Sequence, residues 1–439
     1  MGLYMISYSM RIGIIGAGLT GLSAALELQK KGYEVHLFEQ EPIPGGLAIG
    51  FKQKNWEWPL EKHYHHIFTT DTAIRAQAER LNHSFTFSRP NTSSLIDGEI
   101  LQLDSPLTLL QFKKLSIVER LRMGMVLGYL KYLADWKELE KYKAHEWLPE
   151  KLGKRGYTMI WEPLLKTKFG SYYKDISLAW FWARIKARST ELGYPEGGFQ
   201  TYADVLSNKI IDQGGIIDYE TSANLLEEKN KELIISYTNK KGKGQEKFDA
   251  VLLTIPNVQI QRLVPQLPQD YVTKLKKFQY IGAVNMVLEL SAPMLPKDVY
   301  WLNICEDNYP FLAVVEHTNF ANKSHYDNKY IVYVGKYLAH GHKYFAMNAE
   351  QLLAEYDPYL KKLNPNYKKH LLNSFIFKVP FAQPIVTQNF SKEILPFETP
   401  IKNVFLANMQ QVYPWDRGTN FAVEMGERVA SVISGKIEG

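Results

Sequence analysis

The order of hydrophobic and polar positions near the start of the chain predicts a strand, a helix and a second strand. Residues 11–15 form an apolar run that is typical of a buried strand, and residues 19–31 carry apolar side chains at helical spacing. Gly32 ends the predicted helix, and residues 33–38 form a second apolar run that leads into Glu39. This order predicts a βαβ unit with parallel strands.

Helical spacing dominates residues 80–190. Ser116 and Glu119 have the spacing of a capping box, which predicts a helix from residue 117 through Trp136. The apolar face of this helix is broad and carries basic residues at its margins. Two interpretations stay open: a buried helix of a helical subdomain, and an interfacial helix that contacts a membrane or a lipidic substrate.

The rest of the chain returns mainly to alternating apolar and polar positions. A helix is predicted for residues 199–213, and a strand for residues 216–220. The remaining predicted elements are strands over 233–238 and 248–255 around a charged turn, alternating runs between 280 and 390 around a helix over 349–363, a buried strand over 403–408 and a helix over 419–434.

Three glycines in the first predicted turn indicate a phosphate-binding site. Gly16 permits a tight turn, Gly18 lets the backbone approach a pyrophosphate, and Gly21 lets the helix pack closely on the strand. Glu39 follows Gly16 by 23 residues, where an acid can accept hydrogen bonds from ribose hydroxyls. The chain is therefore predicted to bind a dinucleotide through Gly16, Gly18, Leu19, Thr20, Gly21, Glu39 and Gln40.

The composition predicts a large core and argues against several functions. Of the 439 residues, 45% are hydrophobic and 22% are charged, and the length suggests two domains. A net charge of +6 without a basic run with interleaved aromatics argues against nucleic-acid binding. Residues 1–9 are predicted to be an extension without signal-peptide features, and no apolar run reaches transmembrane length. The single cysteine, Cys305, excludes an intramolecular disulfide and fits a cytoplasmic protein.

Two further stretches carry a resemblance to a known group of flavoproteins. Gly45, Gly46 and Leu47 follow Glu39 closely, and residues 403–430 form a strand, a loop and a helix. With the first unit, these stretches resemble the amine oxidase, protoporphyrinogen oxidase and phytoene desaturase superfamily over nearly the whole chain. The resemblance implies an α/β fold with a Rossmann-like FAD-binding domain of the glutathione reductase type and a second, α+β substrate domain. It implies a discontinuous FAD-binding domain of residues 10–75, 194–260 and 390–436, which holds FAD non-covalently. The substrate-binding domain is then made of residues 80–193 and 261–389.

The same resemblance implies several cofactor contacts beyond the first turn. Gly418, Thr419 and Asn420 match the helix N-terminus that faces the pyrimidine ring of the flavin, where reduced flavin carries negative charge. Asn408 matches a position near the ribityl chain, although many relatives have Gly-Asp where this chain has Ala-Asn. The backbone of Ala223, at the end of a predicted strand, matches a contact to adenine.

A histidine-rich segment at residues 60–70 resembles the flavin-side segment of UDP-galactopyranose mutases. His65 and His66 align with its HIF sequence and are predicted to face the flavin or the substrate, with structural histidines as the alternative. Neighbouring positions of an extended segment alternate, so His63 and His65 share one side and His66 faces the other. No metal is predicted, because no third ligand of suitable spacing lies nearby. Arg417 is predicted either to contact the flavin or an anionic substrate or to form a salt bridge.

The preferred functional prediction is an FAD-dependent oxidoreductase that removes a hydride from a C–N or C–C bond of a small molecule. The first alternative is a redox-neutral flavoenzyme acting on a nucleotide- or lipid-linked sugar, with Arg184, Arg188 and Arg417 as candidates to hold its diphosphate. The second alternative is a non-catalytic FAD-binding protein in peripheral contact with a membrane. His65, His66 and Arg417 are the predicted catalytic residues.

Overall fold

The computed structural model describes residues 10–296 and 298–437, and the predicted extension at residues 1–9 lies outside this part. The elements up to residue 80 are β1 (Arg11–Ile15), α1 (Leu19–Lys30), β2 (Glu34–Phe38), β3 (Gly50–Phe51), β4 (Leu60–Glu61), β5 (Ile67–Phe68) and α2 (Thr72–Arg80). The next are β6 (Phe85–Ser88), β7 (Asn91–Ile96), β8 (Glu99–Gln102), α3 (Pro106–Gln111), α4 (Ile117–Tyr132), α5 (Trp136–Leu139), α6 (Ala144–Leu152), α7 (Lys154–Gly156), α8 (Glu162–Phe169) and α9 (Leu178–Ala187).

The second half of the chain is richer in strands. It begins with β9 (Leu192–Pro195), α10 (Gly198–Asp212), β10 (Ile216–Asp218), β11 (Ser222–Lys229), β12 (Glu232–Asn239), β13 (Gly242–Phe248), β14 (Ala250–Leu253), α11 (Asn257–Leu263) and α12 (Gln269–Lys277). It ends with β15 (Tyr280–Leu290), β16 (Val299–Ile304), β17 (Ala313–Glu316), β18 (Tyr330–Leu338), α13 (Ala349–Leu363), α14 (Tyr367–His370), β19 (Leu371–Pro384), β20 (Val404–Leu406) and α15 (Thr419–Ile437).

A five-stranded parallel sheet contains the predicted βαβ unit. Its order is β10-β2-β1-β14-β20, and every neighbouring pair is parallel. The strands are short apolar runs because helices cover them; α1 packs between the sheet and α15, and Ile12 and Ile14 are fully buried. The carboxyl ends of β1, β14 and β20 lie side by side, and at such an edge parallel sheets bind ligands. The predicted α/β fold is confirmed.

A seven-stranded sheet, in the order β19-β15-β18-β17-β16-β7-β8, forms the second layer of the molecule. All its pairs are antiparallel except β16 with β7. Two of its strands, β7 and β8, come from the stretch that was predicted to be mainly helical, so that prediction is wrong for residues 85–102. These strands have the sequences NTSSLI and EILQ, in which the two apolar residues are adjacent and do not alternate with polar ones, so neither shows the period of a strand.

Helices α3–α9 follow β8 and confirm the helical character of the middle of the chain. The capping box is present: the Ser116 side chain accepts the N–H of Glu119, and the Glu119 carboxylate accepts the N–H of Ser116. Helix α4 ends at Tyr132 rather than Trp136, because Asp135 caps a separate helix, α5, by accepting the N–H of Lys137. No helix in residues 10–296 or 298–437 is long and apolar enough to cross a membrane.

The charged turn predicted between two strands is instead part of a strand. Residues 242–248 form β13, the edge of a three-stranded antiparallel sheet in the order β11-β12-β13. Charged residues, lysine above all, are common on exposed edge strands, where charge discourages pairing with other chains, and β13 carries Lys243, Glu246 and Lys247. Ala223 was predicted to lie at the end of a strand, but it lies at the start of β11, and the preceding strand, β10, ends at Asp218.

Candidate active site

The first turn after β1 is built from backbone groups that approach one another closely. Gly18 pairs with Gly45 across the loop. A Cβ atom on Gly46, whose φ is +58°, would lie 3.0 Å from the Cα atom of Gly18. A Cβ atom on Gly21 would lie only 2.1 Å from the carbonyl oxygen of Gly16. The loop therefore requires glycine, and the first N–H groups of α1 lack carbonyl partners within the helix, as an anion site needs.

Glu39 lies beside this turn, at the end of β2. Its buried carboxylate accepts the N–H of Ala17 at 2.7 Å and the N–H of Glu41 at 2.9 Å. Burial raises the pKa of Glu39, and these backbone hydrogen bonds oppose that shift. The neighbouring Gln40 is exposed. A carboxylate in this place fits the ribose hydroxyls of a dinucleotide, so the residues present fit FAD.

The loop between β20 and α15 continues the same edge of the parallel sheet. Asn408 donates from Nδ2 to the Ile255 carbonyl at 2.8 Å and to Asn257 Oδ1 at 2.7 Å. Its Oδ1 accepts the N–H of Gln410 at 3.1 Å. The Asn408 side chain is therefore fully engaged within the chain, and we infer that it positions the loop. Thr419 and Asn420 begin α15 and are buried, while Gly418 is exposed.

Gln410 was not singled out from the sequence. It is 1% exposed, and both its side-chain nitrogen and its side-chain oxygen lack a hydrogen-bond partner among the described residues. Leaving a buried amide unpaired is costly, so such a group suggests a partner from outside the chain. The only signal in the sequence is its place two residues after Asn408, just beyond the carboxyl end of β20.

A pocket lies between the predicted FAD loop and the seven-stranded sheet. Leu47 lines it from the FAD side, and Asn285 and Lys336 line it from β15 and β18. The segment between β4 and β5 contributes His63, Tyr64 and His65, and the loop before α15 contributes Arg417. Of the three predicted catalytic residues, His65 and Arg417 therefore share this pocket. Lys336 was missed, because a single lysine in an alternating strand gives no distinctive pattern.

His66 faces the other way, as expected from an extended segment. Its Nδ1 lies 3.3 Å from the hydroxyl of Tyr300, and its ring packs edge-on against Trp301. Burial lowers the pKa of His66 to about 3, with Arg188 and Arg184 adding to the effect. Burial, aided by Arg417, likewise lowers the pKa of His65 to about 4. Both imidazoles are therefore neutral at pH 7.

The tautomer of His65 follows from its backbone contact. Its Nδ1 lies 2.6 Å from the carbonyl oxygen of His63, which can only accept, so Nδ1 carries the proton. The Nε2 atom is then the acceptor in the neutral ring. The neighbouring Lys336 is also affected by burial, which lowers the pKa of its ammonium group.

A cluster of cations surrounds Asp416 next to the pocket. The Asp416 carboxylate pairs with Arg184 at 2.9 Å and with Lys168 at 3.3 Å, and it accepts the indole N–H of Trp180 at 3.0 Å. Burial alone would raise the pKa of Asp416, but Lys168, Arg184 and Arg417 outweigh it and lower that pKa. The carboxylate is therefore ionised.

One carboxylate does not balance this cluster. Arg417 donates to the Tyr337 hydroxyl, and its Nε atom is buried without a partner among the described residues. Arg188 forms no ion pair in the described part of the chain, and burial together with Arg184 lowers its pKa to about 10. Burial lowers the pKa of Lys168 to about 7, against the attraction of Asp416. The cluster thus holds more positive than negative charge at neutral pH.

Glu61, at the end of β4, was also missed by sequence reasoning. It is fully buried, and its carboxylate accepts the Tyr194 hydroxyl at 2.7 Å and the N–H of Phe199 at 2.5 Å. Its carbonyl oxygen accepts the Tyr333 hydroxyl at 2.8 Å. Burial raises the pKa of Glu61 to about 7. Because His63 follows two residues later, this network fixes the start of the histidine segment.

The family model for flavin containing amine oxidoreductases matches residues 19–434. The curated relatives match shorter stretches, and the chain spans between 6% and 31% of their lengths.

Solved structures match nearly the whole chain. A protein described as a putative protoporphyrinogen oxidase from Exiguobacterium sp. 255-15 has a TM-score of 0.75 at 16% identity, covering 98% of this chain and 99% of that one. Reduced UDP-galactopyranose mutase has a TM-score of 0.74 at 15% identity, covering 97% and 96%. Putrescine oxidase bound to putrescine has a TM-score of 0.73 at 14% identity, covering 97% and 99%. At these identities the likeness shows a shared fold.

Proposed function

The chain belongs to the flavin-containing amine oxidoreductase family and is an FAD-dependent oxidoreductase, and we propose that it removes a hydride from a C–N or C–C bond of an anionic small molecule. The observation that carries the proposal is the pocket that brings Leu47 of the FAD loop together with His65 and Arg417. We also propose the two-domain division at the boundaries given above, and a cytoplasmic location based on the single buried cysteine.

FAD, when bound, supplies the hydride acceptor. The glycine turn and Glu39 would hold its pyrophosphate and ribose, and the start of α15, from Gly418 to Asn420, would face its ring. Ala223 and Gln410 are further proposed contacts. His65 would accept a proton from the substrate at Nε2, and the protein environment would keep water from the reacting bond.

The excess of positive charge beside the pocket supports an anionic substrate. Three cationic side chains, Lys168, Arg184 and Arg417, act on a single carboxylate, Asp416, and a fourth, Arg188, interacts with Arg184. Buried cations without partners are unfavourable, and a carboxylate or phosphate group would neutralise them. Because Arg417 belongs to both the cluster and the pocket, it would orient that anionic group toward the flavin.

The direct test is anaerobic titration of the purified holoenzyme with a panel of amines and of unsaturated acids. Bleaching of the visible flavin absorbance by one member supports the proposal, and turnover with it should fall at least about tenfold in His65→Asn. Stopped-flow mixing of the reduced enzyme with aerated buffer then separates an oxidase, which reoxidises rapidly, from a dehydrogenase with another acceptor. A purified protein without a flavin band would overturn the cofactor assignment.

A second candidate function is the redox-neutral reaction on a nucleotide- or lipid-linked sugar. The arginines of the same cluster favour it, because two guanidinium groups suit the oxygens of a diphosphate. Its test is binding of UDP-galactose to the reduced enzyme, with Arg188→Ala as the variant that should lose binding. Binding without any change in the redox state of the flavin would favour this function over hydride removal.

A further inference from the structure

Exposed apolar side chains are concentrated in one stretch of the helical region. Of the fourteen large hydrophobic residues that are strongly exposed in the described chain, nine lie between positions 107 and 133. Four of them are at least 70% exposed: Val118, Met125, Tyr132 and Leu133. We call these nine residues the apolar surface: Leu107, Leu110, Ile117, Val118, Leu121, Met125, Tyr129, Tyr132 and Leu133. Single exposed hydrophobic residues are ordinary, but a contiguous group marks an interaction site.

The apolar surface is one face of α4 with its neighbours. At 3.6 residues per turn, the six exposed apolar residues of α4 fall within an arc of about 120°. The opposite side of the same helix carries Met123 and Leu130, which are buried in the core. Helix α3 packs against α4 and adds Leu107 and Leu110 to the surface. The helix therefore has two apolar faces, and only one of them is covered.

The charge of this stretch identifies the partner. Residues 106–133 contain five basic side chains and one acidic side chain, a net charge of +4 out of +6 for the whole chain. Lys114 is paired with Asp97 and Glu99. Lys113, Arg120, Arg122 and Lys131 form no ion pair among the described residues. A second copy of this chain would bring the same positive charge to the interface, whereas anionic lipid headgroups would neutralise it.

We propose that the apolar surface docks on a bilayer that contains anionic lipids, with its apolar side chains in the interface and Lys113, Arg120 and Arg122 at the headgroups. The surface is also connected to the site: Lys131 donates from Nζ to the carbonyl oxygens of Arg188, at 2.6 Å, and Ile185, at 3.3 Å. Docking would therefore place the bilayer against α4, which contacts α9, the helix that carries Arg184 of the cationic cluster. The proposal does not depend on the reaction, because binding to vesicles requires no substrate.

The test is flotation of the holoenzyme with phosphatidylcholine vesicles, prepared with and without phosphatidylglycerol. We expect binding to the anionic vesicles, weaker binding to phosphatidylcholine alone, and release by salt. The triple variant Val118→Glu, Met125→Glu and Leu133→Glu should reduce the partition coefficient at least about tenfold. The control variant, Ile211→Glu, Val258→Glu and Leu372→Glu, adds the same charge at exposed apolar positions elsewhere and should still bind.

Several outcomes would overturn the proposal. These are wild-type protein that stays out of the anionic vesicles at low salt, or a control variant that loses binding as much as the test variant. A wild-type dimer in light scattering that the test variant converts to a monomer would assign the surface to a second copy instead. The flavin absorbance of each variant shows whether that variant has folded. Release of the wild-type protein from anionic vesicles by salt tests the proposal without any substitution. A loss of vesicle binding with an intact flavin signal leaves the proposed function unaffected.

Discussion

The two walls of the candidate site are made from different groups. On the FAD side, the wall is backbone from residues 16–47, and its shape depends on glycines that leave no room for a side chain. The other wall is the cluster of charged and aromatic side chains around Asp416, which come from α8, α9 and the loop before α15, and its Arg417 also lines the pocket. The first wall would bind any phosphate group that fits, because backbone N–H groups do not distinguish one substrate from another. We infer that the second wall selects the substrate, and the two should respond to different substitutions.

The largest effect is expected from an added methyl group in the backbone wall. In Gly21→Ala, the new Cβ atom would stand 2.1 Å from the Gly16 carbonyl oxygen, so β1 and α1 must separate. We expect a loss of more than about 4 kcal/mol of stability, with FAD content near zero. Flavin absorbance per protein and the thermal midpoint measure both. Gly128→Ala is the control, since its Cβ would meet nothing within 4 Å; equal damage in both variants would contradict the crowding argument.

A smaller but still large effect is expected from removing the one carboxylate of the cationic wall. Asp416→Asn keeps the shape and leaves the buried Lys168 and the partly exposed Arg184 without their counter-ion. Breaking such a buried pair costs about 3–5 kcal/mol. We expect a lower thermal midpoint that added phosphate or sulfate partly restores, whereas the midpoint of Gly21→Ala should not respond to anions. A variant as stable as the wild type would show that the cluster is not held by charge.

The two walls also differ in how far the sequence could predict them. The turn from Gly16 to Glu39 follows from local rules, because neighbouring residues along the chain provide both the strand and the helix. The cluster at Asp416 joins residues 248 positions apart, since Lys168 reaches it from α8. No pattern of neighbouring residues in the sequence predicts a contact over such a distance along the chain. Strands β7 and β8 were missed for a similar reason, because β7 is placed by pairing with β16, about 200 residues later, and β8 then pairs with β7.

An intermediate effect is expected on ligand affinity from Arg188→Gln. This change removes a partly buried cation that has no ion pair in the described chain, so folding should improve slightly or stay the same. An anionic substrate or inhibitor should bind about tenfold to a hundredfold more weakly, because a charge-assisted hydrogen bond is lost. Arg428→Gln, which removes an exposed cation paired with Glu424, is the control. Unchanged affinity in Arg188→Gln would exclude this residue from the anion site.

The smallest effect is expected in the pH dependence of stability, and it tests whether His66, which faces away from the pocket, is neutral in the folded protein. The pKa of His66 is lowered to about 3 in the folded protein, from an ordinary value of about 6.5 when unfolded. As the pH falls, the unfolded chain therefore binds the proton first, which favours the unfolded state. The contribution of neutral His66 to the free energy of unfolding is thus complete above pH 6.5 and is lost as the pH falls toward 3. Between pH 7.5 and 5.5 the loss is about 1.4 kcal/mol for one such group.

In His66→Asn, the decrease in stability from pH 7.5 to 5.5 should therefore be smaller than in the wild type by about 1.4 kcal/mol. His317→Asn gives the matched comparison, because burial alone lowers the pKa of His317 to about 3, without the arginines that act on His66, and His317 is hydrogen-bonded to Tyr326. Both variants should flatten the pH dependence in denaturant titrations, but only His66→Asn should also alter anion binding. An unchanged slope in His66→Asn would mean that the folded protein binds the proton as readily as the unfolded chain, so that the pKa of His66 is not lowered and the imidazole adds positive charge beside Arg188 in acid.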